Sequence, residues 1–219
     1  MPLPSFPLPQ NMLSLPGPAG QLEAIVSAPL QTVEAPPFIG IICHPHPLHG
    51  GTMQNKVVST LARVLYDLGG WSVRFNFRGV GASAGAYDAG HGEVEDLRAV
   101  IAWVRGQFPS HAIWLAGFSF GAYIAMQGAA SAGEVKQLIS IAPAVDRFVF
   151  PLEAKVHCPW VLAMGEQDEV VPVDLVKAWV QARPEQIRTL YLPTAGHFFH
   201  GQLLALRDQL KAALYTTRT

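Results

Sequence analysis

The stretch Ala112–Ala132, AIWLAGFSFGAYIAMQGAASA, decides the fold. Its first part, AIWLAGF, is a continuous apolar run of the kind found in a strand buried on both faces. Its second part, from Ala122, is rich in Ala and Gly and reads as a closely packed helix. Between them lies Gly117-Phe118-Ser119-Phe120-Gly121. A Gly-x-Ser-x-Gly at a strand-to-helix turn is a nucleophile elbow, and the flanking elements separate it from a chance match. The turn strains the serine backbone, and side chains at Gly117 and Gly121 would collide with the adjoining strand and helix. The helix dipole then favours negative charge at the serine, and the backbone N–H of Phe120 is aimed at a developing oxyanion.

Outward from this stretch, strands alternate with helices. Upstream come a strand at Leu22–Ala28, expected at the sheet edge, a loop through Pro36-Pro37, the strand FIGIICH, a helix over Asn55–Leu68 and the strand WSVRFNF. A Gly-rich loop, RGVGASAGAYDAGHG, leads into a helix with Val94, Leu97, Ile101, Val104 and Phe108 on one face. Downstream are the strands LISIAP and WVLAMG, a helix at Val173–Ala182, the strand IRTLYLP and an amphipathic helix at Gln202–Leu214. This order predicts an α/β fold: an open, mostly parallel twisted sheet with helices on both faces. In such sheets the ligand sits beyond the carboxyl ends of the strands.

The strand-end residues supply what a serine nucleophile needs, a base and an orienting acid, in the order serine, acid, histidine. WVLAMG is followed by Glu166-Gln167-Asp168-Glu169, and IRTLYLP by Thr-Ala-Gly-His197-Phe-Phe-His200. Asp168 is the expected acid, with Glu166 and Glu169 as loop competitors. His197 is the expected base, with Gly196 giving its loop freedom to turn; His200 is the competing imidazole, otherwise a cap or surface residue of the last helix. The second oxyanion donor is expected in the loop His44-Pro45-His46-Pro47-Leu48-His49-Gly50-Gly51. Pro45 and Pro47 have no N–H, which leaves His46 or Leu48. Gly50 and Gly51 allow close approach of backbone to substrate.

The same loop supports a rival chemistry. His44, His46 and His49 have the His-x-His-x-x-His spacing of a zinc-dependent hydrolase site. That pattern, however, needs an Asp where this chain has Leu48, and the favoured reading is that His44 and His49 build the pocket wall, with no metal and no cofactor. Arg78 could steer an anionic substrate, but is expected to tie its loop together through carbonyls, Asp88 or Glu93. Phe118, Phe120, Phe198 and Phe199 are candidates for an acyl pocket or for core.

GFSFG, Asp168, His197 and the stretch Asn76–Gly85 together resemble the α/β-hydrolase superfamily. HPHPLHGGTMQNKVV with RFNFRGVG is similar to its small, lidless bacterial branch, over roughly Phe38 to Leu214. The resemblance implies a serine hydrolase with Ser119, Asp168 and His197 as triad, and no particular substrate. A cap domain would fall between LISIAP and WVLAMG, where only Ala144–Pro159 lies. The cleft is therefore expected to be open, lipped by Val145, Phe148, Phe150 and the Tyr87–His91 loop.

Composition agrees with one enzyme domain. The chain has 219 residues, 50% of them hydrophobic and 14% charged, with a net charge of -1. Near-neutrality argues against nucleic acid as partner, and no apolar run is long enough for a membrane span. Two isolated cysteines fit a reducing compartment, hence the cytoplasm. The first 20 residues hold six of the 18 prolines and read as an extended arm preceding a domain over 21–219. The expected activity is that of a carboxylesterase on small soluble esters or thioesters. A peptidase or amidase with the same triad, or a noncatalytic binding module, are the alternatives.

Overall fold

The computed structural model describes residues 10–29, 37–148, 155–183 and 187–215. An eight-stranded sheet runs in the order β1-β2-β4-β3-β5-β6-β7-β8. Its strands are β1 (Gln10–Gly17), β2 (Gly20–Ser27), β3 (Phe38–Cys43), β4 (Trp71–Phe75), β5 (Ala112–Phe118), β6 (Val135–Ile141), β7 (Trp160–Gly165) and β8 (Ile187–Leu192). From β4 to β8 in that order all neighbours are parallel; β1–β2 and β2–β4 are antiparallel. The helices are α1 (Lys56–Asp67), α2 (His91–Gln107), α3 (Phe120–Ser131), α4 (Val173–Gln181) and α5 (Leu203–Tyr215).

Both faces of the central strands are buried, by alternation. On β5, Trp114, Ala116 and Phe118 join the core that includes α1 and α5, whereas Ile113 and Leu115 join the core under α2 and α3. On β3, Phe38 and Ile42 turn to the first core and Ile39, Ile41 and Cys43 to the second. A period of two with both sides covered is why these strands read as unbroken apolar runs.

The N-terminal expectation needs correcting. Gln10–Gly17, assigned above to the arm, forms the edge strand β1, and Leu22–Ala28 is an interior strand paired on both sides. Pro16 is compatible with β1 because an edge strand is paired on one side only. The arm's first nine residues and Pro36 lie outside the described residues. β4 also ends earlier than predicted: Asn76 turns out of the sheet, its Oδ1 accepting Met53 N–H and its Nδ2 donating to Glu23.

Helix ends follow their caps. Asn55 Oδ1 accepts the Val57 N–H at 2.8 Å to start α1, and Gly69, at φ +77°, ends it. Glu93 accepts the N–H groups of Gly90 and Asp88, fixing the start of α2. Glu93 is therefore not the partner of Arg78. Arg78 instead grips the buried Asp96 through Nε and Nη2, the latter at 2.8 Å, so this arginine ties the Gly-rich loop to α2.

Candidate active site

Ser119 sits between β5 and α3 with φ 55° and ψ -115°, a left-handed conformation that L-residues rarely adopt. The space around it explains the motif. A Cβ on Gly117 would lie 2.1 Å from Gly121 O, and one on Gly121 would lie 2.2 Å from Cys43 O. Only glycine lets the helix start so close to both strands.

His197, after β8, brings Nε2 to 3.1 Å from Ser119 Oγ. Its Nδ1 lies 2.8 Å from Asp168 Oδ2, in the turn after β7. Asp168 Oδ1 accepts the N–H groups of Val170 at 2.8 Å and Val171 at 2.7 Å, which locks the carboxylate toward the imidazole. A carboxylate only accepts, so His197 carries its proton on Nδ1 and presents a bare Nε2 to the hydroxyl. The competitors go elsewhere. Glu166 pairs with Lys177, and His200 is exposed and stacks on Phe198. Glu169 has a part that the sequence reading missed: its Oε2 accepts the backbone N–H of His197 at 3.1 Å. Gly196 is needed for room as much as for freedom, because a Cβ there would lie 2.6 Å from that oxygen.

Around the serine, the Phe120 N–H opens α3, where helix donors have no intrahelical partner. In the facing loop the two candidate donors differ. The Leu48 N–H is taken up by His46 Nδ1 at 3.2 Å, and Leu48 is an exposed residue. His46 holds the loop in other ways as well, its carbonyl accepting from His49 and Gly51. With Nδ1 accepting, neutral His46 carries its proton on Nε2 and donates it to Tyr87 Oη at 3.1 Å. Burial, then the neighbouring His49 and Arg147, lower the pKa of His46. Gly51 lines the cleft where a Cβ would lie 2.0 Å from Pro45 O, and Gly50 turns the chain at φ +75°.

The three loop histidines do not converge. His44 is fully buried, donates Nδ1–H to Pro45 O at 2.6 Å and accepts the Phe77 N–H on Nε2 at 3.1 Å. Burial pushes its pKa down to about 4. His46 and His49 stack on each other with centroids 4.5 Å apart. Among the described residues no group of three His, Cys, Asp or Glu side chains is arranged to hold a metal ion.

The cleft above Ser119 opens to solvent. Phe120, Phe148 and Phe198 line it, whereas Phe118 and Phe199 are wholly core. Of the predicted lip, Phe148 is present and Phe150 lies outside the described residues. Val145 packs into the core instead, and Tyr87 stands behind His46 rather than at the rim. Arg147 and Asn55 also line the cleft and were not singled out in the sequence. Arg147 lies just beyond the end of β6, where the strand-end rule applied to one more strand points.

The structure superposes on that of an α/β serine hydrolase without a lid from Xanthomonas campestris with a TM-score of 0.89. The two sequences are 42% identical, over 97% of each chain. The chain belongs to the lidless α/β serine hydrolases. A structure of an α/β serine hydrolase homologue from Coxiella burnetii is also similar to this hydrolase, at 48% identity and a TM-score of 0.87, covering 96% of this chain and 100% of that one. An uncharacterised protein of Rickettsia prowazekii is 37% identical over 84% of this chain and 79% of its own length. The family profile described as serine aminopeptidase, S33, matches residues 46–148 of the hydrolase. None of its described helices is long and apolar enough to cross a membrane.

Proposed function

We propose that this serine hydrolase is a carboxylesterase for small soluble esters or thioesters, with Ser119 as nucleophile, His197 as base and Asp168 as orienting acid. One observation carries the reading: Ser119 Oγ, His197 and Asp168 are joined by contacts of 3.1 and 2.8 Å at the floor of an open cleft. Ser119 attacks the carbonyl carbon while its proton passes to His197 Nε2. The Phe120 and His46 N–H groups receive the oxyanion, His46 being preferred because the Leu48 N–H is already engaged. Collapse expels the alcohol or thiol with the proton from His197, leaving an acyl-enzyme that water hydrolyses by the same route. No cofactor enters these steps. The unbridged Cys43 and Cys158 favour a reducing compartment, and we assign the activity to the cytoplasm.

The profile match to a serine aminopeptidase raises the peptidase reading, but that activity asks for an anion to hold the substrate ammonium. Among the described residues lining the cleft there is no carboxylate. The test is labelling by a fluorophosphonate probe together with turnover of a matched panel of esters, thioesters and peptides. Wild type is expected to label and to cleave esters. Ser119→Ala should lose both, with a fall in kcat on the order of 10⁶. Labelling that persists in Ser119→Ala would overturn the nucleophile; labelling without turnover of any ester would overturn the substrate class.

A further inference from the structure

The cleft is asymmetric in charge. Among its described lining residues Arg147 is the single permanently charged side chain, and no Asp or Glu faces it. Two acids of the neighbouring turn are committed elsewhere: Asp168 to His197, Val170 and Val171, and Glu169 to the His197 backbone. Arg147 is itself oriented rather than spent. Its Nη2 donates to Val170 O at 3.0 Å and its Nε lies 3.4 Å from Asp146, while Nη1 has no partner among the described residues. The anchor matters because Val170 belongs to the turn that fixes Asp168, so the guanidinium is held from the same backbone as the acid. Beside it, Phe148 and Phe198 offer apolar surface, and His46 is kept neutral more readily than an ordinary histidine. An aromatic wall ending in a guanidinium fits a short apolar stem ending in an anion.

We propose that Arg147 selects substrates bearing one anionic group, a carboxylate, near the scissile carbonyl; this rests on the esterase reading above. Asp146 offsets part of the charge, and Arg147 is about half exposed, so its effect is moderate and salt-sensitive. A guanidinium that served only to brace residues 144–148 against the acid turn would need its two anchors and would not discriminate by substrate charge.

The experiment compares kcat/KM for two matched pairs. In one the anion is on the acyl side: the para-nitrophenyl monoester of glutaric acid against para-nitrophenyl butyrate. In the other it is on the leaving group: para-acetoxybenzoate against its methyl ester. For at least one pair, the ratio of anionic to neutral kcat/KM is expected to fall about tenfold in Arg147→Gln and to be largely kept in Arg147→Lys. High salt should compress the wild-type ratio in the same direction. The pair that responds identifies which side of the ester carries the charge. An equal loss on the anionic and neutral members of both pairs, or the same ratio in wild type and Arg147→Gln, overturns the proposal and leaves the esterase reading standing. Failure of wild type to cleave any of the four esters overturns both.

Discussion

Glu169 Oε2 accepts the backbone N–H of His197, so the residue beside Asp168 holds the loop that carries the imidazole. Two adjacent carboxylates thus orient one histidine, Asp168 through its ring and Glu169 through its main chain. Substituting Glu169→Ala should release the loop and lower kcat by roughly 10- to 100-fold, since a misplacement of about 1 Å can cost that much. Glu169→Gln keeps an acceptor and should recover most of the rate. Steady-state kinetics on both variants checks this; equal losses in the two would sink the positioning role.

Gly121 is a packing requirement with a measurable penalty. Its missing Cβ would stand 2.2 Å from Cys43 O, so Gly121→Ala must push α3 away from β3. Overpacking of this kind costs about 1–3 kcal/mol, and for a chain of this size each kcal/mol lowers Tm by roughly 2–4 °C. A thermal melt of the variant should show that fall, with activity reduced further because Ser119 moves with the helix start.

His44 should make the protein acid-sensitive without touching the chemistry. Its ordinary pKa of 6.5 is lowered to about 4 in the fold by burial. In that window the unfolded chain holds the extra proton and the native one does not, so acid favours unfolding. The stabilisation is complete above about pH 6.5, declines as pH falls, and levels off below about 4. Between pH 7 and 5 this residue should account for a loss on the order of 2 kcal/mol. Urea unfolding at the two pH values should show a shallower dependence in His44→Asn than in wild type. The His44 ring resonance should not titrate until well below pH 5.

Asp96→Asn separates the two arginines that flank the site region. It leaves the buried Arg78 guanidinium with the exposed Glu95, 3.5 Å from Nη2, as its remaining ion-pair partner, so the loss should fall below the roughly 3–5 kcal/mol of a fully broken buried pair. Chemical denaturation should register that loss. The preference between anionic and neutral esters should stay as in wild type, because Arg78 does not line the cleft.

Much of this was legible in the sequence where one residue had one physical reason. GFSFG, with an apolar run before it and a small-residue helix after it, fixes a turn that nothing but glycine permits, and Asp168 and His197 follow at the ends of later strands. Helix and strand limits were read to within a few residues for the same reason. The edge strand β1 escaped because its prolines mimic an extended arm, and an edge is the one position in a sheet that tolerates them. The partner of Arg78 and the cleft position of Arg147 were not legible, because local sequence shows a charge but not its partner. Asp96, 18 residues away, and the Val170 carbonyl are brought near only by the fold. Glu169 looked like a solvated neighbour of Asp168 for the same reason.

The connection from β6 to β7 is too short for a cap domain. Enzymes that close over a substrate can make a second decision after binding, using the closure itself as a filter. This lidless chain has no cap domain to supply that step. Its selectivity then rests on the few side chains that line the cleft.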